Sequence, residues 1–243
     1  MRRDDKNVSA IIVAAGKGKR MGEGFNKQYI PLKEKPIVAH TLQIFENSQY
    51  IDEIILVVGK EEVSFAKTEI IEKYKFTKVV KVIEGGKERQ DSVYNGLLEV
   101  NKRCQIVLIH DGARPFVKEK IIKNSIDMAE KIGAAVAAMP VKDTIKMVGD
   151  ELEVVNTPER KYLWAVQTPQ TFQYKLLKTA YEKLRTEKVI VTDDAMAVER
   201  LGHTVKIIEG SYENIKITTP EDLIIAKAIL AKEEGNNADR IRV

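Results

Sequence analysis

The chain has 243 residues, of which 44% are hydrophobic, 31% charged and 6% aromatic, which excludes disorder and describes a globular chain of one domain or two small ones. Its 40 Lys and Arg against 36 Asp and Glu leave a net charge of +4, too small for a general nucleic-acid or membrane-surface binder. A single cysteine, Cys104, cannot close an intrachain disulfide, and His40, His110 and His203 match no zinc spacing, so the core must hold the fold unaided. The longest apolar run, Ile132–Val141, falls well short of the roughly 20 residues a bilayer helix needs, and Met1–Asn7 lacks the apolar stretch of a signal peptide. A cytoplasmic protein is expected, with neither nucleic acid nor membrane as partner.

In chain order, short β-branched runs alternate with longer amphipathic stretches. Val8–Ala14 reads as a strand, followed by a glycine-rich loop, a helix over Ile37–Phe45 and a strand over Ile54–Val58. A helical stretch near 61–73, a strand at Val79–Ile83, a helix over Arg89–Val100, a strand at Ile106–Ile109, a helix near 119–131 and a strand at Ala134–Val141 continue the alternation. Such succession predicts an α/β fold, a mostly parallel sheet with helices on both faces and right-handed crossovers. The Val- and Ile-rich strands lack polar alternation, as strands covered on both faces do. From Thr144, two alternating polar-apolar runs flank Gly149-Asp150. They predict an inserted antiparallel hairpin, an arm over approximately 144–162 suited to a dimer contact. Helices follow near 173–186 and 193–201, strands at Val205–Ile208 and Ile215–Thr218, and a last helix capped by Thr219 with Pro220 at its first position. The polar end, approximately 234–243, is expected to fray, and with no linker to split it the chain reads as one domain over 1–243.

Ala14-Ala15-Gly16-Lys17-Gly18-Lys19-Arg20-Met21-Gly22, placed directly after the first strand and followed by Lys27, has the composition of a phosphate loop. Glycines bring backbone N–H groups close to anionic oxygens, and the cations neutralise them. The dinucleotide fingerprint fails, because Met21 stands where its third glycine belongs, and no Gly-x-x-x-x-Gly-Lys-Ser/Thr occurs. His110-Asp111-Gly112-Ala113-Arg114-Pro115 follows a strand at its carboxyl end, the edge where open α/β sheets bind ligands. Asp111 suits Mg²⁺ otherwise held by phosphates and water, and Arg114 offers a planar fork to a second phosphate; taken alone, a turn cap and a surface ion pair account for them.

Within Gly85-Gly86-Lys87-Glu88-Arg89-Gln90-Asp91-Ser92, turn amides and the Ser92 hydroxyl are candidates to read a base edge or a ribose. Asn214–Thr218 reads as an alternating edge strand that points Lys216 away from its apolar neighbours. Thr168-Pro169-Gln170 reads most simply as a turn and Thr192-Asp193-Asp194 as a helix cap. Arg160 gains meaning only if the arm reaches a neighbouring subunit. The three histidines form no nucleophile–base constellation, so triad hydrolysis has no support.

Together and in this order, AAGKGKRM with Lys27, GGKERQDSV, HDGARP, Asp143-Thr144, the arm with Arg160, TPQ at 168–170, TDD at 192–194 and NIKIT closely resemble one family. It is the 2-C-methyl-D-erythritol 4-phosphate cytidylyltransferase family of the non-mevalonate isoprenoid pathway, and the resemblance runs from about Ser9 to Ala228. The resemblance implies a Rossmann-like nucleotidyltransferase fold, a homodimer joined through the β-arm, CTP and 2-C-methyl-D-erythritol 4-phosphate as substrates, a need for Mg²⁺, and pyrophosphate as second product. It implies that Ala14, Ala15, Gly16, Gly18, Gly86, Ser92 and Asp111 bind CTP, Asp111 lying near the metal, and that Arg20 and Lys27 are the catalytic cations. Arg114, Thr144, Thr168, Thr192 and Lys216 resemble the acceptor site, which Arg160 completes from the other subunit. One departure is Lys87, after the double glycine, where the family carries an acidic residue; a lysine cannot accept a hydrogen bond from the cytosine amino group. The alternatives are a cytidylyltransferase for another polyol phosphate, such as ribitol 5-phosphate, and a non-catalytic nucleotide-binding dimer.

A phosphate monoester attacking the α-phosphorus of CTP is already ionised and needs no general base, so positioning and electrostatic stabilisation remain as the enzyme's contribution. The charge is distributed to match. Between Lys17 and Lys35 stand six cations (Lys17, Lys19, Arg20, Lys27, Lys33, Lys35) and two anions (Glu23, Glu34), so that window alone carries the +4 and the rest of the chain is balanced.

Overall fold

The structure, a computed structural model, describes residues 7–16 and 26–241, with side chains up to 235. Strand β1 (Asn7–Ala14) precedes, beyond residues 17–25, a 3-10 turn at Lys27–Tyr29, the ribbon of β2 (Pro31–Leu32) and β3 (Lys35–Pro36), and helix α1 (Ile37–Asn47). β4 (Glu53–Val58) runs into a helical stretch that is 3-10 at Lys60–Glu62, α-helical over Val63–Phe65 (α2) and π-helical over Ala66–Glu72. Next come β5 (Val79–Glu84), α3 (Arg89–Glu99), β6 (Cys104–Asp111), α4 (Glu119–Ile132) and β7 (Ala134–Pro140). The arm carries β8 (Met147–Val148) paired antiparallel with β9 (Val154–Asn156). The chain closes with β10 (Trp164–Gln173), α5 (Tyr174–Glu187), α6 (Asp194–Glu199), β11 (Lys206–Glu209) and α7 (Pro220–Ile241).

Among the described residues, seven strands form one sheet in the order β11-β7-β10-β6-β1-β4-β5. β6, β1, β4 and β5 pair parallel, as do β11 and β7; β10 runs antiparallel between β6 and β7. Successive residues of a central strand enter opposite cores. Val8, Ala10 and Ile12 of β1, with Ile54 and Leu56 of β4 and Ile106 and Leu108 of β6, pack with α1 (Leu42, Phe45) and α4 (Ile122, Ile126). Ile11, Ile55, Val57, Val107 and Ile109 meet α3 (Val93, Leu97) and α5 (Leu177, Tyr181) on the other face. Each large side chain so buried contributes about 1.5–3 kcal/mol, which is why the middles of these strands carry apolar residues on both faces rather than at every second position. A third cluster (Leu32, Ile37, Ala113, Phe116, Ile217, Ala226, Ile229) ties α7 to the ribbon and to the loop after β6. α7 is capped as its sequence predicts: Thr219 Oγ1 accepts from Asp222 N–H, and the Asp222 carboxylate accepts from Thr219 N–H at 2.9 Å.

Two expectations change. Thr168-Pro169-Gln170 lies inside β10, not in a turn. While β10 advances from Val166 to Gln170, β7 moves only from Ala138 to Val136, so the strand bulges around the proline, which has no N–H for the ladder. Ile215–Thr218 is not a strand. Ile217 N–H bonds the Ala113 carbonyl at 2.9 Å and its side chain is fully buried in the third cluster, so the segment docks on the loop after β6 while β11 takes the sheet edge. α7 carries helical backbone as far as Ile241, with Glu233 and Glu234 paired to Lys118 and Lys33. The arm is closed at its tip by Gly149 N–H to Glu153 O (3.0 Å) and at its neck by Val141 N–H to Leu163 O (3.0 Å). It exposes Met147, Val148, Leu152, Val154 and Val155.

Candidate active site

A cleft of about 660 Å³ opens at the carboxyl ends of β1, β5 and β6. Ala14, Ala15 and Gly16 carry β1 into it, Gly86 and Lys87 come from the turn after β5, Arg89 and Ser92 from the first turn of α3, and Asp111 from the end of β6. Lys27, on its 3-10 turn, and Lys216 complete the wall. A Cβ on Gly85 would stand 2.5 Å from Ala15 Cβ and 2.7 Å from Ser92 Oγ; one on Gly86 would stand 2.2 Å from Asp91 Cβ. Only glycines let this turn press against β1 and α3. Ser92 fixes the turn: its hydroxyl accepts from Gly86 N–H at 3.0 Å and donates to the Glu88 carbonyl at 3.3 Å.

The Asp111 carboxylate is ringed by cations. Lys216 Nζ lies 3.0 Å and Arg114 Nε 3.3 Å from Oδ2, while Arg89 Nε lies 3.5 Å from Oδ1. Burial raises the pKa of Asp111, but the charges of Lys216, Arg89 and Arg114 outweigh it and hold the group well below the usual carboxylate range. Arg89 also grips both oxygens of the fully buried Asp194, at 3.1 and 2.8 Å, and Tyr181 O–H donates to the same carboxylate. Gln170 ties this pair to the sheet. Its Oε1 accepts from Asp194 N–H and Ala195 N–H, and its Nε2 donates to Asp193, the N-cap of α6.

Beneath Asp111 the protons can be assigned. The Arg114 carbonyl, 3.1 Å from His110 Nε2, can only accept, so Nε2 carries the ring proton and Nδ1 is the acceptor. Thr168 Oγ1, 3.1 Å from Nδ1, then donates to it and keeps a lone pair for the Asp111 N–H, also at 3.1 Å. Burial pushes the fully buried His110 down to about 4, so it stays neutral near pH 7 and serves as a brace.

Of the residues singled out in the sequence, Ala14, Ala15, Gly16, Lys27, Gly86, Ser92, Asp111 and Lys216 line the cleft together. Arg114 stands behind Asp111, its Nη1 donating to the Asn214 carbonyl at 2.8 Å. Thr168 is 4% exposed and spends its hydroxyl on Asp111 and His110. Thr144, Thr192 and Arg160 are exposed and do not line this cleft; Arg160 Nη1 donates to the Lys142 carbonyl at 2.8 Å. Gly18 and Arg20 lie outside the described residues. Lys216 stands at its post without the strand expected to aim it. Sequence reasoning passed over Arg89, Gln170 and Asp194; the Arg89–Asp194 pair spans 105 positions, and no local spacing announces it.

A cationic, glycine-lined cleft at this edge of a Rossmann-like sheet puts the chain in the class of nucleotidyltransferases. The model of the 2-C-methyl-D-erythritol 4-phosphate cytidylyltransferase family matches residues 8–232. Curated proteins of that name from Alkaliphilus oremlandii and Clostridioides difficile are 61% and 54% identical, over 94% and 96% of this chain and 97% and 98% of theirs. Among solved structures, a 4-diphosphocytidyl-2C-methyl-D-erythritol synthase from Anaerococcus prevotii superposes with a TM-score of 0.82 at 38% identity, covering 93% of this chain and 96% of that one. The Francisella tularensis 2-C-methyl-D-erythritol 4-phosphate cytidylyltransferase gives a TM-score of 0.78 at 32% identity, covering 91% and 98%. The chain belongs to the 2-C-methyl-D-erythritol 4-phosphate cytidylyltransferase family.

Proposed function

We propose that this chain transfers CMP from CTP to 2-C-methyl-D-erythritol 4-phosphate, giving 4-diphosphocytidyl-2-C-methyl-D-erythritol and pyrophosphate, as the names of its relatives indicate. The observation that supports the reading most is the convergence of Lys216, Arg114 and Arg89 on one carboxylate beside a glycine-rich wall. The acceptor phosphate attacks the α-phosphorus in line, and the chain's task is to hold two polyanions together and stabilise charge on the α-phosphoryl oxygens. Lys27 and Arg20 act as the fixed cations there, and Ala14, Ala15, Gly16 and Gly18 offer backbone amides to the triphosphate. Gly86 and Ser92 shape the cytidine side. Arg114, Thr168, Thr192 and Lys216 serve the acceptor side, Thr168 by setting the Asp111 backbone.

Asp111 suits a divalent cation. Its Oδ1 has Arg89 Nε no nearer than 3.5 Å, and Mg²⁺ held chiefly by phosphate oxygens and water needs only one or two carboxylates. No cluster of three His, Cys, Asp or Glu able to hold a metal exists among the described residues, which matches such a phosphate-held ion better than a protein cage. Asp111 would help to hold such an ion, which would supply neutralisation of the triphosphate's charge.

The exposed apolar arm is assigned to a second copy of the chain, so that Arg160 serves the partner's acceptor site, while Thr144, at the base of the arm, belongs with the acceptor residues. A reducing cytoplasm suits Cys104, a single thiol that burial pushes up to about 11; no helix of the described residues is long and apolar enough to cross a membrane. The direct test is pyrophosphate release from CTP with 2-C-methyl-D-erythritol 4-phosphate and, separately, ribitol 5-phosphate. Release with the first acceptor alone is expected; preference for ribitol 5-phosphate, or release with neither, overturns the reading.

A further inference from the structure

Glu62 lies outside the wall of the cleft, yet one of its oxygens holds the turn that presents Lys27. It ends the 3-10 turn Lys60–Glu62 after β4, and its Oε2 accepts three hydrogen bonds: from Gly59 N–H at 2.9 Å, Tyr29 O–H at 3.2 Å and Gln28 Nε2 at 3.3 Å. Gln28 and Tyr29 are the two residues that follow Lys27. Gln28 is 2% exposed, and the Tyr29 ring packs edge-on against Phe65, on the same helical stretch as Glu62, at 4.9 Å. Burial first, and the Glu62 charge second, raise the phenol of Tyr29 well above its ordinary value, so it remains a donor. The turn itself is closed by Tyr29 N–H to Asn26 O at 2.9 Å and Ile30 N–H to Lys27 O at 3.2 Å. A lysine is a point charge on a flexible stem, so its head is only as well placed as its backbone.

We propose that Glu62 is a positioning residue for the nucleotidyl transfer, a buttress on the end of β4 that fixes the Lys27 turn against the cleft. The inference rests on the catalytic role proposed for Lys27. Displacing a charged group by about 1 Å costs up to about 10²-fold in rate, so Glu62→Ala should lower kcat by about 10- to 100-fold while CTP KM changes less than about threefold. Glu62→Gln, whose amide oxygen still accepts, should recover most of that loss. The discriminating measurement is a double-mutant cycle on kcat with Lys27→Ala, which alone should cost about 10²–10³. In the Lys27→Ala background, Glu62→Ala should change kcat by less than about twofold, because the group it positions is gone. If Glu62→Ala fails to fold, Tyr29→Phe takes its place in the same cycle, with a loss of several-fold that vanishes in the Lys27→Ala background. Wild-type kcat in Glu62→Ala, or losses that multiply in the double variant, overturn the proposal. Full activity in Lys27→Ala overturns instead the reading on which it rests.

Discussion

Arg89 bridges two buried carboxylates, and its removal has a calculable cost. Its guanidinium holds both oxygens of Asp194 at 3.1 and 2.8 Å and reaches Asp111 at 3.5 Å. Arg89→Met keeps much of the apolar stem and deletes the charge, leaving Asp194, wholly excluded from solvent, with the Tyr181 hydroxyl as a neutral partner. Breaking one side of such a pair costs about 3–5 kcal/mol, because the stranded anion remains buried. For a chain of this length each kcal/mol moves Tm by about 2–4 °C, so Tm should fall by about 6–20 °C. Asp194→Asn in the same chain removes the stranded charge without changing the shape of the site. The double variant should therefore lose less than the sum of the two single losses, by at least about 1–2 kcal/mol. Urea unfolding of the wild type, both single variants and the double variant, followed by circular dichroism, closes the cycle. A loss under about 1 kcal/mol for Arg89→Met, or single losses that add within about 0.5 kcal/mol, would refute the reasoning.

Three further outcomes are expected. Because the folded pKa of His110 is lowered to about 4 from 6.5, the unfolded chain takes up a proton that the buried ring refuses between those values, and stability falls as pH drops through that window by up to about 3 kcal/mol. Urea midpoints across pH 7 to 4 should show that slope in the wild type and a flatter one in His110→Gln; equal slopes would remove His110 as its cause. Gly85→Ala, whose Cβ would collide with Ala15 and Ser92, should raise CTP KM and cost about 1–3 kcal/mol, and an unchanged KM would show that the turn has room to move. Mixing Arg160→Ala with Lys27→Ala subunits, each strongly impaired alone, should raise the activity above that of either variant through shared sites. No recovery under demonstrated subunit exchange would count against a site completed by the partner's arm.

The strands at the middle of the sheet were legible because burial on both faces writes itself into β4 and β6 as the runs IILVV and IVLI, and into β1 as a Val-, Ile- and Ala-rich run with Ser9 as its one polar interruption. β10 was not, since WAVQTPQTFQ mixes polar residues with a proline, and its place between β6 and β7 is set by pairing partners far along the chain. The cleft's glycines, Asp111 and Lys216 were legible as motifs whose chemistry is local. Arg89 with Asp194, and Glu62 with Gln28 and Tyr29, were not: each is an ordinary charged residue whose meaning comes from a neighbour brought close only by folding. The same holds for Thr168, whose hydroxyl serves the backbone of Asp111.

The neck of the arm has a consequence for how such proteins diversify. β7 and β10 are adjacent antiparallel strands, and the Val141–Leu163 hydrogen bond ties the two ends of the insertion where it leaves the sheet. With its ends already held, the intervening segment can lengthen at small entropic cost, about 0.6 kcal/mol for a doubling. Thr168, inside β10 and beyond the neck, keeps its grip on Asp111 whatever the outer residues become. The outer part of the arm, between Thr144 and Arg160, is thus an exchangeable cassette: its apolar strands can change with whatever surface they meet, while Arg160 at its base and Thr168 beyond the neck stay in register with the chemistry.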